Sequence, residues 1–137
     1  MLYYNFIVKH IYYVSMSKKD SFIVNRIKSV GYAFKGAYLL ITTEASLKVQ
    51  FFIGVIMTIA GIYYGLSATE WIIQILIIAL IMALEGVNTA IEEIADFIHP
   101  ELHPKIGLIK DLAAGAVFIF AIAAVIVGAI IYIPKIF

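Results

Sequence analysis

Glu85, Asn88 and Glu92 stand at i, i+3 and i+7 and so share one face of any helix that carries them, and Asp96 extends that face by another turn. Glu93 falls off it, as a solvated or interhelical residue would. Glu44 is a separate carboxylate ahead of the first long apolar run, and Lys110-Asp111 opens the last one. Residues 84–111 alone hold six of the nine acidic residues. Two carboxylates together with phosphate oxygens and water make an ordinary Mg²⁺ site. A third carboxylate, set deeper, is a candidate general base. A nearby lysine can neutralise charge on a group in transfer. Such parts suit phosphoryl transfer, which needs positioning and charge stabilisation more than covalent chemistry. The acceptor would be a hydroxyl at a membrane surface. The same carboxylates would also serve interhelical hydrogen bonding, or a proton or ion path through an oligomer. The residues by themselves leave enzyme and ion conductor open.

The elements that must hold these groups are apolar. Of the 137 residues, 64% are hydrophobic, against roughly 45–50% in soluble domains. The length allows one domain and about three spans of roughly 20 residues. A charged residue at the centre of such a span costs about 2.5–3.5 kcal/mol on insertion scales, so carboxylates kept at that depth point to use.

Residues 1–21 read as an N-terminal extension. The apolar, Tyr-rich run to Ser15 contains Lys9 and His10 and is too short to span a bilayer. Either it lies at the interface, or translation starts at Met16. Residues 22–137 form the membrane domain. Ile23, Ile27, Val30, Phe34, Tyr38 and Ile41 recur at three- and four-residue steps, with Arg26, Lys28 and Lys35 off the stripe. This pattern predicts an amphipathic helix over 22–41, lying on an anionic membrane face. Spans are expected at about 49–66, 71–98 and 107–133. A short turn around Gly65 to Thr69 separates the first two, flanked by Tyr63, Tyr64 and Trp71 as an aromatic belt would be. His99-Pro100 ends the second. Six Lys or Arg lie between Lys18 and Lys48 and two more in the 99–111 loop, while the turn between the first spans has none and Lys135 stands alone at the far side. Positive-inside orientation then puts the N-terminus and the acidic end of span two in the cytoplasm. Ala114, Ala121 and Gly128 repeat every seven residues, and Ala124 and Gly128 make a small-xxx-small pair. Such a face suits close helix approach in lipid. Three spans enclose little, so a homo-oligomer is expected.

Several chemistries are absent. There is no Cys, hence no disulfide or thiolate chemistry. Gly31, Gly36 and Gly54 form no phosphate loop, and no G-x-G-x-x-G occurs. His99 and His103 bracket Pro100, so they are not an i, i+4 metal pair on a continuous helix. Nothing calls for a nucleic-acid partner.

The wording around the carboxylates is distinctive. Glu85-Gly-Val-Asn88-Thr-Ala-Ile-Glu92, Asp96, Pro100-Glu101-Leu102-His103-Pro104 and Lys110-Asp111-Leu-Ala-Ala-Gly-Ala-Val117 resemble the prokaryotic diacylglycerol kinase family, which includes the undecaprenol kinases of Gram-positive bacteria. Lys28, Gly31-Tyr32, Lys35-Gly36 and Thr43-Glu44-Ala45 carry the resemblance into the first helix, and it covers about residues 22–131. The resemblance implies an all-α integral-membrane homotrimer, each protomer with an N-terminal surface helix and three transmembrane helices. It implies an ATP- and Mg²⁺-dependent kinase acting on the hydroxyl of undecaprenol or diacylglycerol. Glu85 would be the general base, positioned by Asn88. Glu44 and Glu92 would hold the metal on the ATP phosphates. Tyr32, Glu101, Leu102, His103, Lys110 and Asp111 would contact nucleotide along with the two metal carboxylates. The lipid would lie near Phe34, Ser46, Gln50, Tyr63 and Trp71, its hydroxyl at Glu85. Three positions depart from the enterobacterial pattern. Asn25, beside Arg26, stands where an early Arg occurs, Gln50 where an acidic residue occurs, and Tyr63 where Trp occurs. The N-T-A-I-E and A-A-G-A-V wording resembles the Gram-positive type and leans the substrate toward undecaprenol. The rival reading is a catalytically inactive membrane assembly or ion-conducting protein.

Overall fold

The structure, a computed structural model, describes residues 21–101 and 103–137. The expectations for the N-terminal extension and for Leu102 therefore lie outside the described residues. Four helices follow one another: α1 (Phe22–Thr43), α2 (Ala45–Tyr63), α3 (Ala68–Ile98) and α4 (Pro104–Ile136). The chain divides into two compact units, the first ending at Leu39 within α1 and the second running from Leu40 to Phe137.

Within the first unit, α1 is a continuous amphipathic helix. Ser29 Oγ bonds the Asn25 carbonyl at 2.8 Å, and the Arg26 guanidinium lies 5.0 Å from the Phe22 ring centroid. Its apolar stripe stays uncovered: Ile23, Ile27, Val30, Phe34 and Tyr38 are all exposed.

In the second unit, α3 packs on both α2 and α4. The helices α2, α3 and α4 have 19, 31 and 33 residues, and each is long and apolar enough to cross a membrane. They overrun the expected spans because their ends are capped by polar residues beyond the apolar windows. The α2–α3 turn is the tightest junction. Leu66 N–H donates to the Gly61 carbonyl at 3.1 Å and Gly65 N–H to that of Ile62 at 3.3 Å. Together they close a Schellman motif, and Gly65 takes the left-handed φ of 63° that the motif needs. Ser67 then caps α3 reciprocally: its N–H donates to Glu70 Oε2 at 2.7 Å and its hydroxyl accepts from Glu70 N–H at 3.4 Å. At the other end α3 stops at Ile98, and Pro104 starts α4 with His103 Nδ1 accepting from Lys105 N–H at 3.2 Å. Pro at the first helical position has no N–H to leave unpaired.

Helices α2 and α3 meet along one α2 face, made by Leu47, Gln50, Gly54 and Gly61. A methyl group at Gly54 would lie 3.0 Å from Ile78, and one at Gly61 would lie 2.9 Å from both Leu66 and Trp71. Glycine there lets the backbones approach closely. The apolar core sits at the turn end of the bundle, where Leu66, Ile131 and Tyr132 are buried against Met57, Ala60, Tyr64, Trp71 and Val127. A closed polar cluster lies beside it. Gln74 Nε2 donates to the Met57 carbonyl at 3.0 Å, and the Tyr132 hydroxyl lies 2.7 Å from Gln74 Oε1 and 3.0 Å from the Met57 carbonyl. It ties α2, α3 and α4 together. Lys135, which looked isolated in the sequence, pairs with Glu70 at 3.2 Å, because the antiparallel course of α3 and α4 returns it to the same end.

Candidate active site

At the opposite end of the bundle, the polar face of α3 turns inward. Glu85 and Asn88, 9% and 8% exposed, are two of the three buried polar or charged side chains among the described residues, with Gln74 the third. A carboxylate and an amide survive that burial only with partners. Gln50 of α2 supplies one for Glu85, its Nε2 lying 3.4 Å from Glu85 Oε2. Asn88 Nδ2 donates to Glu92 Oε1 at 2.8 Å, one turn further along α3. Two oxygens are left over: Gln50 Oε1 and Asn88 Oδ1 are buried with no donor in reach among the described residues. Unpaired acceptors beside a buried carboxylate are a natural place for a ligand or ordered water.

The structure thus brings together Glu85, Asn88, Glu92 and Gln50. Glu93 is exposed, off this face. Asp96 turns to α4 and pairs with Lys110 at 2.6 Å, and Glu92 and Glu93 lie within electrostatic reach of the same ammonium. Lys110 is therefore held at the carboxylate end of the bundle by Asp96, while Asp111 next to it is exposed. Glu44 occupies the N-cap position of α2 but makes no side-chain cap. Its Oε1 accepts from Thr43 Oγ1 at 3.2 Å. A carboxylate that leaves its own helix end uncapped is free to bind something else. No hydrogen bond or ion pair joins Glu44 to Glu85 or Glu92 among the described residues.

In the connection between α3 and α4, His99 Nδ1 lies 3.1 Å from the Glu101 carbonyl, and the His99 and His103 rings lie 5.1 Å apart. Glu101 and His103 are both exposed there. Tyr32 and Phe34 are exposed on α1. Ser46 is exposed at the start of α2. Tyr63 is 81% exposed at the far end of that helix, and Trp71 packs on the apolar core at the same end. By the helical rise, Trp71 is about 21 Å from Glu85 along α3. These two residues are in reach of a long apolar tail and not of a head group.

All donors around Glu85, Asn88, Glu92 and Glu44 are oxygens, one of them the orphaned Asn88 carbonyl. This is the donor type that Mg²⁺ takes, and Mg²⁺ needs only one or two carboxylates when phosphate and water complete its shell. The residues present fit such an ion. What sequence reasoning missed is the direct Gln50–Glu85 contact. The signal for it was the spacing of Leu47, Gln50, Gly54 and Gly61, which marks one α2 face built for close approach to α3.

The sequence and its relatives converge on one family. The description "Prokaryotic diacylglycerol kinase" matches residues 31–132. The undecaprenol kinase of Bacillus subtilis is 37% identical over 108 residues, 79% of this chain and 88% of that one. The diacylglycerol kinase of Synechocystis is 35% identical over 111 residues, 80% of this chain and 63% of that one. The diacylglycerol kinase of Escherichia coli is 30% identical over 105 residues, 77% of this chain and 86% of that one. With the α3 carboxylate face, three helices able to cross a membrane and this extent of match, the chain belongs to the prokaryotic diacylglycerol kinase family.

Proposed function

We propose that this membrane phosphotransferase moves the terminal phosphoryl group of ATP, with Mg²⁺, to the hydroxyl of a membrane lipid, undecaprenol ahead of diacylglycerol. Membership of the family makes it an enzyme acting on a lipid alcohol with a nucleotide donor. The reading is carried by one observation: Glu85 is a buried carboxylate held by Gln50 and set one turn from the Asn88–Glu92 pair. In this reading Glu85 takes the proton from the lipid hydroxyl as the oxygen attacks phosphorus. Asn88 orients Glu92. Glu44 and Glu92 hold Mg²⁺, which when bound neutralises charge on the ATP phosphates. Lys110, steadied by Asp96, faces the phosphates, and Asp111, Tyr32, Glu101, Leu102 and His103 line the nucleotide. The lipid runs along Phe34, Ser46 and Gln50 toward Tyr63 and Trp71. The preference for undecaprenol is supported by the name and match of the Bacillus subtilis relative.

The active unit proposed is a homotrimer in the cell membrane, with α1 on the cytoplasmic surface and the carboxylate end facing ATP. Support comes from the open space around Gly115 and Gly128 of α4 and the many exposed apolar side chains on all three long helices. Support for the orientation comes from the Lys and Arg on the N-terminal side and in the 99–111 loop. The test is phosphate transfer from labelled ATP to undecaprenol and diacylglycerol, offered side by side in mixed micelles with and without Mg²⁺. Mg²⁺-dependent transfer, faster to undecaprenol, is expected. Transfer to neither lipid from a well-folded oligomer sinks the kinase reading in favour of an assembly or ion-conducting role.

A further inference from the structure

We propose that Gln50 is a positioning residue for Glu85, built to serve both protonation states of that carboxylate during transfer. The inference rests on the kinase reading above, and it gives Gln50 a different part from the lipid contact expected by resemblance. Gln50 lies on the α2 face that meets α3, three residues after Leu47, which is 2% exposed, and four before Gly54, which approaches Ile78 closely. Its side chain is therefore directed into the bundle and reaches Glu85 across 35 residues of sequence.

The amide carries a donor and an acceptor on one rotatable group. In the ground state the donor faces Glu85 Oε2 at 3.4 Å, while the acceptor, Oε1, is buried with no partner among the described residues. An unpaired buried acceptor is unfavourable unless some state of the site uses it. Transfer creates such a state. The bond from the lipid oxygen to phosphorus forms as the bond from phosphorus to the β-bridging oxygen breaks. ADP leaves with that electron pair, and the lipid proton ends on Glu85. The carboxyl then carries an O–H and no longer wants the Gln50 donor. A half-turn of the Gln50 amide presents Oε1 to that O–H, and the reverse turn restores the ground state when the proton leaves. Asn88 is less suited, because its amide is committed to Glu92 at 2.8 Å. Glutamate at position 50 accepts only, and an apolar residue does neither.

The test uses the full chain in mixed micelles, with kcat and KM for undecaprenol and ATP measured for the parent, Gln50→Met and Gln50→Glu. Expected is a fall in kcat of about tenfold or more in both variants, within the range that proton-transfer groups contribute, with KM for lipid changed less than twofold. A raised lipid KM at unchanged kcat makes Gln50 a lipid contact and overturns the proposal, as do unchanged constants. Gln50→Glu keeps the shape of the side chain if Gln50→Met fails to assemble. A second readout needs no turnover. The protonated carboxyl stretch of Glu85, identified as the infrared band lost in Glu85→Gln, should rise in frequency in Gln50→Met as its acceptor disappears. A band that stays in place overturns the proposal even if the parent transfers no phosphate. A parent that transfers none fails the kinase reading separately.

Discussion

The Tyr132–Gln74–Met57 cluster gives a sharp test of how the bundle is held. The Tyr132 hydroxyl has one proton and two acceptors, Gln74 Oε1 at 2.7 Å and the Met57 carbonyl at 3.0 Å. The shorter contact takes the proton, since the Met57 carbonyl already receives Gln74 Nε2 at 3.0 Å. Tyr132→Phe therefore strands Gln74 Oε1 inside a residue only 5% exposed. A stranded buried acceptor costs about 1–3 kcal/mol in soluble proteins, and interhelical hydrogen bonds in membranes average about 0.6 with a maximum near 1.7. The expected loss is about 1–1.5 kcal/mol, roughly a tenfold shift in the unfolding equilibrium. Gln74→Leu removes the partner but leaves the hydroxyl its Met57 acceptor, and it should cost about half as much. The double variant has no polar group left to strand, so it should be no worse than Gln74→Leu alone, a coupling of about 1 kcal/mol. Equilibrium unfolding by sodium dodecyl sulfate in mixed micelles measures this. The single tryptophan, Trp71, packs against this cluster and reports it by fluorescence. Gln74 lies about 16 Å from Glu85 along α3, so turnover per folded molecule should not change. A Tyr132→Phe variant within about 0.3 kcal/mol of the parent, or a double variant that costs the sum of the two, refutes the reasoning.

Other perturbations separate the carboxylates by role. Glu85→Gln should lower kcat by about 10²- to 10⁴-fold with the oligomer intact, and undiminished turnover would remove Glu85 as the base. Glu92→Ala and Glu44→Ala should each raise the Mg²⁺ concentration for half-activation by tenfold or more; a parent-like Mg²⁺ response in both would show that the metal sits elsewhere. Gly128→Ile meets no atom within 4 Å in the protomer, so it should leave the protomer folded but reduce cross-linked trimer. An unchanged trimer would clear that face of α4 from assembly.

The fold was legible where the signal is local. Three apolar runs, the His99-Pro100 stop and the α1 stripe all read directly, because length, hydropathy and proline chemistry act on neighbouring residues. The Glu85-Asn88-Glu92 face followed from helical spacing alone. Cross-helix pairing was not legible. Gln74 read only as a polar exception in an apolar span, since its partner Tyr132 is 58 residues away. The Asp96–Lys110 and Glu70–Lys135 pairs were hidden for the same reason: charges far apart in sequence meet only once α3 and α4 run antiparallel. Gln50 was read through resemblance as a lipid contact, and its bond to Glu85 appears only when α2 and α3 fall into register at their close-packed glycines.

The turn between α2 and α3 bears on how the chain enters a bilayer. Its Schellman bonds and the Ser67–Glu70 box are all local, formed among residues 61–70. They close before any of α4 has been made. Helices α2 and α3 are thus ready to insert as a single hairpin. Glu70 is the one ionisable group that must cross at its tip, and one of its oxygens is already bonded to the Ser67 N–H. Lys135, the countercharge, is supplied only when the last turn of α4 arrives, so its ion pair closes over a completed bundle and acts as the final latch of membrane assembly.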